Sequence, residues 1–203
     1  MSKKPIIVFE GIEGSGKSHH ISTISKYLTK KKIDHLKVRE PGGNKNSEKI
    51  RKLILSNNSN FNKNTDLLLY LAARSESIQL INKFYKKKII LIDRFIDSTI
   101  AYQHYGLGAD INLIKSINKF LLKKIKVNFT FLNIVNNKNL ISRLKKRKKL
   151  NRYDKFSINF YNKVQNGFLK LSNNKKKYQI INSNLDIKKN ERLIENKINW
   201  LIK

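Results

Sequence analysis

The sequence of 203 residues contains no cysteine and only two prolines, and its acidic residues are few. Without cysteine the chain cannot form disulfides, thiolate metal sites or thiol redox centres. The absence of disulfides fits a reducing compartment. No apolar run approaches the roughly 20 residues that a membrane-spanning helix requires. The first apolar run, residues 6–9, is also too short and too soon interrupted for a signal peptide. We therefore expect a cytoplasmic protein that does not associate with a membrane.

Positive charge is the most prominent feature of the composition. Lysine and arginine total 44 against 14 acidic residues, a formal net charge of +30 at pH 7. Such a surplus attracts polyanions, because lysines that neutralise phosphates release counterions whatever the nucleic-acid sequence. The lysines are, however, mixed with asparagine and isoleucine, which A- and T-rich codons encode, and they are spread along the chain. We therefore favour a compositional charge on solvated surfaces over a dedicated, specific nucleic-acid partner.

Short apolar runs alternate with segments of helical periodicity, as in α/β proteins. The predicted strands are residues 6–10, 35–39, 89–93, 129–135 and 178–181. Helical periodicity covers residues 17–30, 47–55, 65–85, 156–171 and 185–202, and the segment FLLKK at 120–124 is predicted to be the end of a further helix. This alternation predicts a five-stranded parallel sheet with helices on both faces. Because the length suits one core and no linker or repeat interrupts the chain, we expect a single domain over residues 1–203.

A glycine-rich segment, GIEGSGKS at residues 11–18, follows the first predicted strand directly. Its glycines let successive backbone N–H groups turn toward one point, where the next helix presents its positive end. Lys17 then adds a charge near the outer phosphates, and Ser18 can ligate Mg²⁺. A plain glycine turn is the alternative, but the strand before the segment and the helix after it are what phosphate binding requires. The segment therefore predicts a nucleotide-phosphate loop. The other residues expected to bind ATP here are Gly11, Gly14, Ser15, Gly16 and, directly after the loop, His19.

Charged pairs close the second and third predicted strands: Arg39 with Glu40, and Asp93 with Arg94. In parallel sheets, ligands bind beyond the carboxyl ends of the strands, so both pairs belong near the phosphate loop. Asp93 can hold a magnesium-bound water, and the planar guanidinium of Arg94 can grip a second phosphate. A simple ion pair or helix cap is the alternative for each. Two such pairs beside one phosphate loop favour the functional interpretation.

Taken together, the motifs resemble the thymidylate kinase family, nucleoside monophosphate kinases that phosphorylate dTMP. The segments that carry the resemblance are FEG before the loop, REPGG at 39–43, LAAR at 71–74, DR at 93–94, STIAYQ at 98–103 and NRYD at 151–154. They occur in the order and at the approximate spacing typical of the family, over nearly the whole chain. The resemblance implies a P-loop NTPase fold, phosphoryl transfer from ATP to dTMP with Mg²⁺ bridging the donor phosphates, and a homodimer formed through helices that flank the third strand.

The resemblance also implies roles around the two phosphates. Lys17 would bind the ATP phosphates, and Ser18 with Asp93 would hold the metal. Glu13, inside the loop, would face the sugar and phosphate of dTMP, and Arg94 would hold the acceptor phosphate. Arg39 and Glu40 would line the same cleft.

A further set of residues would surround the thymidine, again as the resemblance implies. Tyr70 would stack on the base, Arg74 would hydrogen-bond a thymine carbonyl, and Tyr102 would crowd the 2′ position and so favour deoxyribose. Core packing is the alternative for the two tyrosines. The remaining contacts implied near dTMP are Ser98, Thr99 and Gln103.

The basic segment RLKKRKKLNR at 143–152 resembles the lid that closes over ATP, which would span about 143–154. In this family a catalytic arginine lies either in the phosphate loop or in the lid. Positions 14 and 15 are glycine and serine, so the lid must supply it here. We expect Arg147 in that role, with Arg143 and Arg152 also binding ATP. Asn151 stands where an aspartate is common, which weakens the case for a lid-locking ion pair at that position.

Two other functions stay open. The chain could be a different nucleoside monophosphate or deoxynucleoside kinase, since a phosphate loop and a DR pair are shared more widely, although REPGG and AYQ argue against this. It could instead be a basic nucleic-acid-binding protein with a residual phosphate loop. That alternative predicts tight, salt-dependent binding to nucleic acid and little turnover.

Overall fold

The computed structural model describes residues 4–123 and 125–202 and contains a parallel sheet of five strands. The strands are β1 (Ile6–Gly11), β2 (His35–Arg39), β3 (Ile89–Asp93), β4 (Phe129–Ile134) and β5 (Tyr178–Asn182). Their spatial order is β2-β3-β1-β4-β5, and every neighbouring pair runs parallel. The predicted fold class is confirmed, and the carboxyl ends of all five strands lie at one edge of the sheet. The phosphate loop follows the central strand, β1.

Helices connect the strands. They are α1 (Lys17–Lys30), α2 (Lys45–Leu55), α3 (Lys63–Phe84), α4 (Ile96–Thr99), α5 (Ile111–Leu122), α6 (Asn137–Lys145), α7 (Ile158–Leu171) and α8 (Ile187–Ile202). A π-helical segment, Ile100–Gly106, continues α4, and a 3₁₀ turn, Arg152–Lys155, precedes α7. The periodicity predicts the long helices closely but misses α4 and α6. None of the helices between residues 4 and 202, with residue 124 left aside, is both long and apolar enough to cross a bilayer.

Alternation along β1 divides the core between the two faces of the sheet. Ile7 and Phe9 point to one face, where they pack with residues of α1 and α8. Val8 points to the other face and packs with Ile78 and Ile81 of α3. Because β1 is central and buried throughout, its carboxyl end is held rigidly between both layers. The phosphate loop therefore starts from a fixed point in the fold.

Asparagine starts several of the helices. The Asn44 side chain accepts a hydrogen bond from the N–H of Ser47 at the start of α2, and Asn62 accepts from Asn64 and Thr65 at the start of α3. Asn136 caps α6 in the same way. Such caps satisfy N–H groups that have no partner within the helix. The asparagine-rich loops of the sequence thus define where these helices begin.

Candidate active site

The phosphate loop turns from β1 into α1 with a geometry that requires glycine at two positions. Gly16, the residue before α1, has φ 88°, in the left-handed region that side chains disfavour. A side chain on Gly11 would collide with the backbone oxygen of Asn133 in the neighbouring strand. The loop can therefore lie tightly against β4 and aim its backbone at the start of α1.

Lys17 lies buried beneath this loop. Its Nζ donates to the carbonyl oxygens of Gly11 and Ile12, both at 2.8 Å. Burial, aided by the positive charge of Arg94, lowers the pKa of Lys17 to about 7. The ammonium is thus held where incoming phosphates would stabilise its charge.

Ser18 and Asp93 meet at the first turn of α1, where the Ser18 hydroxyl donates to Asp93 Oδ2 at 3.2 Å. A hydroxyl and a carboxylate are hard oxygen donors of the kind that Mg²⁺ prefers. Across residues 4–123 and 125–202, no cluster of three or more histidine, cysteine, aspartate or glutamate side chains could hold a metal alone. The pair therefore suits a divalent cation that takes its other ligands from phosphates and water.

Arg94 lies opposite the loop, directly after β3, and its φ of 65° is positive. Its Nη1 donates to the carbonyl oxygen of Gly11 and its Nη2 to Glu13 Oε1, both at 2.8 Å. The guanidinium also lies over the ring of Tyr102, 5.0 Å from its centroid, and the Tyr102 hydroxyl donates to the other oxygen of Glu13. Arg94 and Glu13 are thus joined to each other and to the loop.

The electrostatics of this group follow from its burial and its pairing. Burial alone would raise the pKa of Glu13, but the charges of Arg94 and Lys17 and the Tyr102 hydrogen bond together lower it. Burial would likewise lower the pKa of Arg94, and its anionic surroundings raise it well above its usual value. Both side chains are therefore charged at neutral pH, so the guanidinium remains available to an anion.

One cavity of about 430 Å³ joins these groups. Every site residue named from the sequence lines it except Gly11, Arg74, Thr99 and Arg152. Its walls include the phosphate loop, Arg39 and Arg94, and the rings of Tyr70 and Tyr102. The sequence motifs thus converge on one volume.

The four exceptions have identifiable positions. Gly11 contributes its carbonyl oxygen, which accepts from Lys17 and Arg94. Thr99 is buried, and its hydroxyl has no partner among the described residues. The Arg152 guanidinium pairs with Asp66 of α3 and lies against the ring of Tyr153, outside the cavity. In this arrangement Arg152 does not reach the phosphate loop as the sequence led us to expect.

Arg74 also differs from the expectation of a thymine contact. Its guanidinium is buried and donates to Glu40 Oε2 (2.7 Å), Asn118 Oδ1 (2.8 Å) and the carbonyl oxygen of Phe95 (2.8 Å). The Coulombic attraction of Glu40 explains this position, because a buried carboxylate requires a charged partner. Arg74 therefore supports Glu40 from behind the wall of the cavity.

The segment 143–154, which the sequence predicts to be a lid, is held at both ends. Arg143 donates to the carbonyl oxygens of Gly14 (2.7 Å) and Ser183 (2.6 Å), so it ties α6 to the phosphate loop. Arg147 lines the cavity and forms an ion pair with Asp154. The amide groups of Asn151 donate to the same carboxylate, from the backbone at 3.0 Å and from the side chain at 2.6 Å. An ion pair is therefore present in this segment, with Asp154 as the carboxylate and Asn151 as a further donor to it.

Several residues of this site escaped the sequence analysis. Arg51 of α2 lines the cavity while its Nη1 donates to the carbonyl oxygen of Pro41 at 2.7 Å. Tyr153 also lines the cavity and meets Tyr70 edge to face, with ring centroids 6.0 Å apart. The NRYD motif contains Tyr153, so a signal existed there. Arg51 lies on a helix that reads as an ordinary amphipathic one, and nothing in its spacing distinguishes it.

The glycine-rich loop, Lys17 and Arg94 line one cavity at the carboxyl edge of a parallel sheet, and this arrangement is typical of P-loop nucleotide kinases. Comparison with known proteins narrows the class. A family model described as thymidylate kinase matches residues 9–194. The chain therefore belongs to the thymidylate kinase family.

Individual relatives agree with the family model. The chain is 39% identical over 183 residues to a thymidylate kinase of Thermosipho africanus, which covers 89% of this chain and 90% of the relative. It is 38% identical over 192 residues to a thymidylate kinase of a Sulfurihydrogenibium species, with 93% of each chain covered. The crystal structure of thymidylate kinase from Ehrlichia chaffeensis superposes with a TM-score of 0.78 at 29% identity, covering 98% of this chain and 99% of that one.

Proposed function

We propose that this protein transfers the γ-phosphoryl group of ATP to dTMP, giving ADP and dTDP for dTTP synthesis. The observation that carries the proposal is the single cavity that joins the phosphate loop to Arg94. A phosphoryl transfer of this kind needs little covalent chemistry from the protein, because positioning and charge stabilisation supply most of the catalysis. The identity of the acceptor comes from the family.

On the donor side, the backbone N–H groups at Gly14, Ser15 and Gly16 and the ammonium of Lys17 would hold the ATP phosphates. Ser18 and Asp93 would hold Mg²⁺, which neutralises charge on the donor phosphates when it is bound. Lys17 would exchange its loop carbonyls for phosphate oxygens, which are stronger acceptors. His19, whose Nε2 bonds to Glu191 at 2.8 Å, lies at the outer rim of this end.

On the acceptor side, Arg94 would bind the dTMP phosphate, with Arg39 and Arg51 adding charge from β2 and α2. Glu13 and Tyr102, which are hydrogen-bonded to each other, would face the sugar. Tyr70 and Gln103 would contact the base. The Gln103 Oε1 accepts no hydrogen bond from any described residue, so it can accept one from thymine N3–H. This unpaired acceptor supports a pyrimidine with a protonated N3.

As phosphoryl transfer proceeds, Arg147 would neutralise the charge that spreads over the oxygens of the transferred group. Arg147 already lines the cavity, and it would break its ion pair with Asp154 in order to reach the transferred group. An arginine in this role accelerates related reactions by about 10³ to 10⁵. Residues of about 143–154 would then act as the lid of one kinase domain.

We further propose that the protein acts in the cytoplasm as a homodimer. Exposed apolar side chains on the helices beside β3 support the dimer: Leu68 of α3 is 52% exposed and Phe120 of α5 is 71% exposed. Side chains of this size and exposure on neighbouring helices are typical of a surface that another subunit covers.

The test is the release of ADP from ATP and Mg²⁺ with dTMP, dUMP, dGMP, AMP, CMP and thymidine offered separately. A strong preference for dTMP supports the proposal. Turnover with a different acceptor would support the assignment as a kinase but contradict the roles proposed for the residues that contact the base. If none of the acceptors were phosphorylated while the protein bound nucleic acid tightly, the kinase proposal would be wrong.

A further inference from the structure

Glu10, in the FEG segment before the phosphate loop, has no role in the mechanism described above. It lies near the carboxyl end of β1, is 1% exposed and does not line the kinase cavity. A carboxylate buried this completely is expensive unless hydrogen bonds satisfy it. Its partners therefore indicate what it does.

All of the partners of Glu10 belong to the segment that follows Arg94. Its Oε1 accepts from the backbone N–H groups of Phe95 (2.8 Å) and Ser98 (3.2 Å), and its Oε2 accepts from the Ser98 hydroxyl (2.5 Å). These two N–H groups belong to the start of α4, and no side chain of α4 itself caps them. Glu10 thus provides from β1 the cap that α4 lacks.

The segment that Glu10 holds determines where Arg94 can reach. Arg94 has a positive φ, which in a residue other than glycine persists only where the surroundings fix the backbone. The Ser98 hydroxyl that donates to Glu10 also accepts from Arg94 Nη1 at 3.4 Å. A continuous chain of hydrogen bonds therefore runs from Glu10 through Ser98 and Arg94 to Glu13.

We propose that Glu10 is a positioning residue for the phosphoryl acceptor, which fixes the Arg94 backbone from behind through Phe95 and Ser98. The proposal rests on the proposed binding of the acceptor phosphate by Arg94. Burial, with a further contribution from the charge of Asp97, raises the pKa of Glu10 to about 7. The fold thus buries a carboxylate at an energetic cost, at a position where this carboxylate accepts hydrogen bonds from the turn formed by Phe95 and Ser98.

The test compares Glu10→Ala with Glu10→Gln in steady-state kinetics at pH 8.5, above the pKa of Glu10. Misplacing a phosphate-binding arginine by about 1 Å costs up to about 100-fold, so Glu10→Ala should lower kcat/KM for dTMP between about 10-fold and 100-fold. The KM for ATP should change less than about twofold, because the hydrogen bonds of the Glu10 side chain go to Phe95 and Ser98 and none of them goes to the phosphate loop. Glu10→Gln retains an acceptor oxygen for the two N–H groups and should recover most of the loss.

Asp97→Asn is the matched control. Asp97 is a neighbouring carboxylate, but it accepts from the Tyr178 hydroxyl at 2.8 Å and makes no hydrogen bond to Arg94. Its kinetics should match the wild type. If Glu10→Ala fails to fold, Glu10→Asp, whose carboxylate is one methylene further from the turn, should still raise the KM for dTMP.

Two results would overturn the proposal: an equal loss for both substrates, or a lowered melting temperature with unchanged kcat/KM for dTMP in Glu10→Ala or Glu10→Asp. A failure of the proposed function is distinguishable, since it is detected in the wild type before any variant is made. If the wild type prefers another nucleoside monophosphate, the same comparison is made with the KM of that acceptor.

Discussion

Lys17 is the residue whose charge the fold changes most clearly within the phosphate loop. Its ammonium is buried, bonded to neutral carbonyls and repelled by Arg94, and its pKa falls to about 7. The negative charge of bound phosphates would attract the Lys17 ammonium and so raise its pKa again. The charge of Lys17 is therefore coupled to the binding of ATP.

We predict that the protein takes up close to one proton when it binds MgATP at pH 8. At that pH most Lys17 side chains are neutral before binding and charged after it, so the affinity should fall as pH rises from 7 toward 9, by at most about tenfold per pH unit. Calorimetry in two buffers of different ionisation enthalpy measures the proton directly. Lys17→Arg is the control, because arginine stays charged and should show no uptake. Equal enthalpies in both buffers for the wild type would contradict the prediction.

The positions of individual site residues follow from sequence only where a strand end or a loop dictates them. Lys17 and Asp93 could be placed because each adjoins a predicted strand or helix. Arg74 and Arg152 could not, since their carboxylate partners, Glu40 and Asp66, lie 34 and 86 residues away in sequence. Pairing at such distances leaves no local pattern. The role of Glu10 could not be predicted for the same reason, since its partners Phe95 and Ser98 lie 85 and 88 residues away.

At the scale of elements, apolar runs predict the central strands β1, β3 and β4, because a strand buried on both faces is apolar at most positions. The edge strands β2 and β5 carry polar residues and are only partly buried, so their signal in the sequence is weaker. Helix α6 was missed because its basic sequence presents few apolar residues, of which only Leu140 is buried. In the structure, α6 and the turn after it are held at two points, by Arg143 at one end and by Asp154 at the other. Arg147 lies between them.

We predict that Arg147→Ala lowers the turnover number by at least about 10³ while the KM for dTMP changes less than about threefold. The reason is that Arg147 would act on charge that develops only during transfer. Single-turnover measurements with saturating substrates separate this step from binding. Lys148→Ala is the control, because Lys148 is exposed and does not line the cavity. A turnover number unchanged by Arg147→Ala would exclude Arg147 as the catalytic arginine.

For the molecule as a whole, a net charge of +30 accompanies a site in which arginine and lysine are paired or buried. Most of the surplus must therefore lie on the outer surface. A diffuse charge of this kind binds polyanions weakly at many places rather than at one. Substitution of surface lysines should then weaken the binding of polyanions without changing the kinase activity.

We predict that Lys175→Gln with Lys176→Gln weakens nucleic-acid binding slightly and leaves kcat unchanged. Two exposed lysines remove at most about two units from the slope of log affinity against log salt concentration. Fluorescence anisotropy with a short duplex at several salt concentrations gives the slope. Lys148→Gln with Lys149→Gln is the comparison, and a diffuse charge requires both pairs to have similar effects. A collapse of binding from one pair alone would instead identify a dedicated nucleic-acid surface.

The asparagine caps have a consequence for how such a sequence can change over time. Asn44, Asn62 and Asn136 each begin a helix, and Asn151 begins the turn that orients Asp154. Each cap is worth about 1 kcal/mol relative to alanine. Mutational drift that enriches a genome in asparagine codons therefore supplies the residue that helix starts favour. In this chain, an asparagine-rich composition and a stable fold are compatible, because several asparagines lie where they stabilise the backbone.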